Sequence, residues 1–193
     1  MWSEEQIIEY LKENLKERRF KHSLSVRDTA VKLAEIYGVD IEKARIAGLA
    51  HDCAKNIKNQ EMLNIAEKYG YNINDVCIKS PSLLHGVVGA YISKNIMGIH
   101  DESILNAIAY HTTGRKNMSL LEKIIYMADY IEPLRNFPGV EEVRKLTYED
   151  IDEALIVTFN NTIKYIIKNG QLLHSDTIEA RNYMLCLKHM EEL

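Results

Sequence analysis

Residues 44–55, ARIAGLAHDCAK, decide how this chain is read. Ala44, Ala47, Gly48 and His51 fall on one face of a helix that Asp40 can cap. Small residues on that face let a neighbouring helix pack closely. His51 and Asp52 then stand side by side. Neighbours on a helix point about 100° apart, so both reach one centre only where the helix ends. The chain breaks into AKNIKN straight after Cys53, which supplies that end. Histidine and aspartate together make a borderline-to-hard metal site with no help from cysteine.

The same residue types recur in other apolar helical segments: His22 in RFKHSLSV, His85 in SLLHGVVG, His111 in IAYHTTGR and Asp129 in YMADYIEP. A polar ring or carboxylate in such surroundings is costly unless something satisfies it. A shared ion would satisfy all of them, with ligands on separate helices converging on one point. Each has a plainer reading when taken singly. A lone histidine on an apolar face is usually a satisfied core or surface side chain. Asp129 can be a buried acceptor, Asp52 a helix-end residue, and His85 a group closing a helix terminus. The recurrence of the whole set favours a shared metal centre. His100 and His189 lie in polar contexts at helix ends and are read as exposed, while His174 stays open.

Helical periodicity runs nearly from end to end, with only three prolines and nine glycines. Ser3 with Gln6, and Ser119 with Glu122, form capping-box patterns. The first is followed by the stripe Ile7, Ile8, Leu11 and Leu15. A second helix carries His22, Val26, Thr29, Leu33 and Tyr37 and stops at Gly38. Further helices are expected at 59–69, 82–97, 101–112, 119–131, 141–147, 149–168 and 175–190, with Asp101 and Ser175 as caps. Irregular chain is expected at 53–58, 70–81, 113–118 and 132–140. No repeat or linker divides the sequence, so one all-α domain over 1–193, a helical bundle, is expected.

The apolar fraction is 46%, the charged fraction 27% and the net charge -4. That balance argues against nucleic-acid backbone or anionic membrane as the main partner. The N-terminus reads as a charged amphipathic helix rather than a signal peptide, and no apolar run suits a membrane span. Cys53, Cys77 and Cys186 are odd in number with no CxxC spacing, which fits a reducing cytoplasm. Cys53 is read as a small core residue, with a thiolate ligand as the lesser alternative.

The pattern His22, His51-Asp52, Asp129 resembles the HD-domain superfamily of metal-dependent phosphohydrolases. HDCAK at 51–55, LLHG at 83–86, YHTTG at 110–114, ADYIEP at 128–133 and RNFPGV at 135–140 further resemble the YqeK family. That family comprises bacterial hydrolases that cleave diadenosine tetraphosphate symmetrically. The resemblance covers about residues 4–190. It implies His22, His51, Asp52 and Asp129 as the principal iron-binding set, with His85 and His111 as ligands of a second ion. One ion or two is left open by the spacing. Manganese, zinc or cobalt suits the same ligand chemistry, so iron is an implication of the family.

Phosphoanhydride hydrolysis needs activated water, charge neutralisation at the phosphoryl oxygens and in-line geometry. Asp52 and Asp129 are the carboxylates able to orient water, and Lys55 is placed to meet a phosphate, the alternative being a solvated loop lysine. Arg27 shares a helical face with His22 and pairs either with phosphate or with an acid such as Asp28. Thr112, Thr113 and Gly114 end the His111 helix, either as phosphate or ribose contacts or as a plain helix stop. Arg135 and the 137–139 turn either frame the nucleotide or form a rigid loop over the core. Arg181 and Asn182 resemble the family's RN pair. Cleavage to two ADP is implied by the resemblance alone. Two alternatives stand beside it: another nucleotide substrate, such as a guanosine alarmone or nucleoside monophosphate, and a non-catalytic regulatory HD domain. A homodimer face is available on the first helix or on 149–168.

Overall fold

The periodicity resolves into eleven α-helices in a computed structural model that describes residues 1–191. They are α1 Glu4–Asn14, α2 Glu17–Tyr37, α3 Ile41–Ala50, α4 Asn59–Lys68, α5 Asp75–Lys79 and α6 His85–Asn95. There follow α7 Glu102–Tyr110, α8 Leu120–Ile131, α9 Val140–Glu149, α10 Ile151–Lys168 and α11 Ser175–Glu191. The described residues contain no strand, so the fold is all-α. The last two residues of the expected domain lie outside the described ones.

Local chemistry explains most boundaries. Both capping boxes form, Ser3 with Gln6 and Ser119 with Glu122. Asp40 accepts from the Lys43 N–H, Asp101 from those of Ser103 and Ile104, and Gly38 ends α2 at φ +68°. Ser175 departs from expectation: it is the first residue of α11, and His174 before it accepts from the N–H groups of Asp176 and Thr177. The expected 82–97 helix divides, because Pro81 opens a separate 3-10 turn, Pro81–Leu84, and α6 begins at His85. The irregular stretch 70–81 holds α5, five residues capped by Asn74 and too short for periodicity to reveal. Asp150 separates α9 from α10 by capping the latter.

One contiguous apolar cluster extends from Ile7 on α1 to Met184 on α11. Within it α2 packs on α3 and α8, and α6 on α7. Small residues set the closest approaches. A Cβ on Gly48 would lie 3.0 Å from the Arg27 Cα, and one on Gly86 would lie 2.5 Å from the Ala109 carbonyl oxygen. The first contact seats α3 on α2; the second seats α6 on α7. Those two contacts bring four histidine-bearing helix segments to one place.

Candidate metal centre

His51 directly follows α3, His85 opens α6, and His111 directly follows α7, while Asp129 lies in the last turn of α8 and His22 early in α2. Helix ends leave backbone carbonyls without partners, and the histidines use them. His51 Nδ1 donates to Gly48 O at 2.7 Å, His85 Nδ1 to Ser82 O at 2.6 Å, and His111 Nδ1 to Ile108 O at 2.7 Å. The same three-residue reach is used each time. His22 Nδ1 instead donates to Glu132 Oε1 at 2.9 Å. Carbonyls and carboxylates only accept, so the proton of each neutral ring is held at Nδ1.

All four Nε2 lone pairs then face inward. His22 and His51 bring theirs within 3.3 Å of each other, and His85 and His111 within 3.0 Å. Asp129 Oδ1 lies 2.9 Å from His22 Nε2. Asp52 Oδ2 lies 3.5 Å from His51 Nε2, and Asp52 Oδ1 lies 3.0 Å from His85 Nε2. Asp52 Oδ1 is buried without a hydrogen bond, with the Nε2 atoms of His85 and His111 and the Lys55 ammonium gathered around it. Protonation of His85 is unfavourable: burial, with further opposition from Lys55 and His111, pushes it down to about 4. Burial likewise lowers His111. Imidazole nitrogens and carboxylates gathered around one point, with cationic and hydroxyl donors at its edges, suit a cation.

The donor atoms of His22, His51 and Asp129 lie within 4.8 Å of one another, as do those of His51, Asp52 and His111. This all-nitrogen-and-oxygen set fits a divalent metal. The carboxylates are prepared for that role. Burial pushes Asp52 up, but His51, His111 and His85 outweigh it and hold the group well below the usual range. Burial also opposes ionisation of Asp129, which His22, Arg135 and His51 overcome.

Cys53 is only 3% exposed, and burial pushes its thiol up to about 12. This supports the core reading over the thiolate ligand. His100 and His189 are exposed, as expected. His174, left open by the sequence, is buried, with Asn74 Nδ2 2.9 Å from its Nε2.

The expected substrate residues fall into two groups. Lys55 Nζ lies 2.9 Å from His85 Nε2 and 3.6 Å from Asp52 Oδ1, and burial lowers its pKa. Thr112 Oγ1 lies 3.1 Å from His85 Nε2, and Arg135 pairs with Asp129 through both its carboxylate and its backbone carbonyl. Thr113 is turned onto the Gly114 carbonyl, and Gly114 takes φ +66° as the turn after α7 requires. Arg27 is engaged elsewhere, by Glu4 and Asp28, the alternative that its sequence context already allowed. Arg181 donates to Asn160 Oδ1 at 2.7 Å and to Asn182, in a shallow recess between α10 and α11.

Two participants escaped sequence reasoning. Glu132, 1% exposed, fixes the His22 ring, and burial is outweighed by Ser25, His22 and the Leu134 N–H in keeping it ionised. Arg19 donates to Asp52 Oδ2 at 2.6 Å. A signal existed for both: Glu132 lies in the ADYIEP segment and Arg19 one helical turn before His22. Neither position, however, distinguishes a buried partner from a solvated charge.

An HD domain family model matches residues 19–134. The chain is 44% identical over 183 residues to the symmetrical bis(5'-nucleosyl)-tetraphosphatase of Bacillus subtilis, covering 94% of this chain and 97% of that one. It is 41% identical over 174 residues to the protein of the same name from Staphylococcus aureus, covering 89% of each. Among solved structures it is similar, with a TM-score of 0.94 and 56% identity, to a Clostridium acetobutylicum protein described as a predicted HD superfamily hydrolase involved in NAD metabolism. That similarity covers 96% of this chain and 98% of the other.

Proposed function

We propose a reaction for this chain from the premise that it belongs to the HD domain family and, within it, with the symmetrical bis(5'-nucleosyl)-tetraphosphatases. It is a hydrolase that cleaves dinucleoside tetraphosphates at the central anhydride, giving two ADP from diadenosine tetraphosphate. The observation that carries the reading is the convergence of four imidazole Nε2 atoms and two carboxylates beside a recess lined by cations.

In this reading His22, His51, Asp52 and Asp129 hold an ion, and His85 and His111 extend the set towards a second one. Iron is the ion proposed, with manganese, zinc or cobalt as substitutes. When bound, the metal supplies a Lewis acid that acidifies water and draws charge from the phosphoryl oxygens.

The chain's own residues do the rest. Asp129, with a side chain 23% exposed against 2% for Asp52, is the carboxylate able to accept a hydrogen bond from the attacking water. Lys55, beside Asp52 and His85, and Arg135, beside Asp129, donate to phosphate oxygens, and Thr112 adds a hydroxyl at the His85 edge of the cluster. Attack on a central phosphorus breaks the anhydride, and the departing nucleoside diphosphate keeps the bridging oxygen. The apolar helix contacts behind the histidines limit water to the open side.

Residues 1–193 act as one HD-type unit, for which the single apolar cluster speaks. No described helix is long and apolar enough to cross a membrane. We place the enzyme in the cytoplasm, where its free cysteines are stable. A homodimer belongs to the same reading, to be checked by sedimentation velocity.

The decisive experiment is hydrolysis of diadenosine tetraphosphate by iron-reconstituted protein, with products separated by anion exchange. ADP as sole product is expected. ATP with AMP would overturn the symmetrical cleavage, and no turnover would overturn the activity.

A further inference from the structure

A recess of about 330 Å³ opens beside His22, and the centre leaves two of the cations that line it unused. Five basic side chains line it against one acid, the buried Glu132. Three of the five are turned inward: Arg19 onto Asp52, Arg135 onto Asp129, and Lys55 towards His85. The other two, Lys16 and Arg18, are exposed, and among the described residues neither has an acidic partner. Unpaired cations gathered at one place are notable in a chain of net charge -4.

A second observation comes from the backbone. Lys16 precedes the 21-residue helix α2 and makes no side-chain cap, so the first-turn N–H groups of α2 have no side-chain acceptor there. A helix N-terminus in that condition attracts anions. Leu134, 60% exposed, lines the same recess and presents an apolar surface at its edge. Polyvalent anion contacts leading away from a phosphoryl-transfer centre, ending beside an apolar side chain, match a nucleoside diphosphate rather than a lone phosphate.

We propose that this recess seats one nucleoside diphosphate half of the substrate, with Lys16 and Arg18 as its outer phosphate contacts and Leu134 against the nucleoside. The proposal rests on the hydrolase reading and adds residues outside the metal-ligand set. It also gives symmetrical cleavage a structural basis. A seat that holds two phosphates beyond the centre places the central anhydride at the centre.

The test compares wild type with the Lys16→Gln/Arg18→Gln double variant and a charge-matched Lys12→Gln/Lys32→Gln control, all at equal metal content. Titration calorimetry measures ADP binding, and steady-state kinetics measures diadenosine tetraphosphate turnover. Loss of two charge-assisted contacts should weaken ADP binding and raise KM by about tenfold or more, with kcat within about threefold. Unchanged ADP affinity in the folded double variant would overturn the seat, as would equal weakening in the control, which would signal net charge alone. Failure of the hydrolase reading has a different signature: wild type would bind ADP in a Lys16- and Arg18-dependent way yet turn over no tetraphosphate.

Discussion

The cluster at the ends of α3, α6, α7 and α8 and the seam between α10 and α11 are both polar, but they resolve their polarity differently. At the seam, Arg181 meets the neutral amide of Asn160 and Lys188 meets Glu153 at 2.6 Å. Donors there find acceptors within the chain. At the cluster, the backbone takes the imidazole protons at Nδ1 and leaves acceptors facing acceptors. The seam pairs donors with acceptors; the cluster sets Nε2 atoms against one another and against carboxylates, an arrangement that a cation suits. Buried polar groups mark function when their partners are of the wrong kind, rather than merely because they are buried.

The strongest challenge to this contrast is Asp52→Ala. Turnover should fall by about a thousandfold or more together with metal stoichiometry, while far-UV circular dichroism stays nearly constant. Retained turnover would remove the metal mechanism.

Acid stability comes next. His85 titrates near 4 in the fold against 6.5 for an ordinary imidazole. Between those values the unfolded chain takes up a proton that the folded chain refuses. The metal-free protein should therefore lose on the order of 3 kcal/mol as pH falls from 6.5 to 4, with little further loss from this group below 4. Urea denaturation across that range measures it. A flat profile would mean that the cluster carries its own protons.

Glu132→Gln sharpens the comparison further, because it keeps the shape at His22 but removes the charge that orients the ring. Metal affinity should drop about 10–100-fold, read by competition with a chromogenic chelator. Lys55→Ala should raise KM or lower kcat about tenfold with metal content intact. Loss of metal instead would make that lysine structural. The smallest effect is expected at the seam. Arg181→Ala should change stability by no more than about 0.5 kcal/mol and leave KM within about twofold. A KM effect as large as that of Lys55→Ala would bring α11 into the substrate site.

Much of this was legible in one dimension because helices announce themselves locally. Caps at Ser3, Asp40, Asp101 and Ser119 act within three residues, and apolar stripes repeat every turn, so helix positions follow from neighbours alone. His51-Asp52 at a helix end was legible for the same reason. Helix α5 was not, since five residues give too little periodicity. Ser175 misled because the neighbouring His174, through its ring and carbonyl, does the capping.

Residue type and local spacing thus determined an all-helical chain and picked out six side chains that the fold brings together. Only the tertiary structure decided which protons those side chains retain, that Arg19 and Glu132 complete the surroundings, and that Arg27 and Arg181 find partners elsewhere. The reason is physical. A helix is specified by contacts three or four residues apart, whereas a lone pair's partner is specified by which helices touch. That contact depends on small residues such as Gly48 and Gly86 admitting a neighbour from far along the chain.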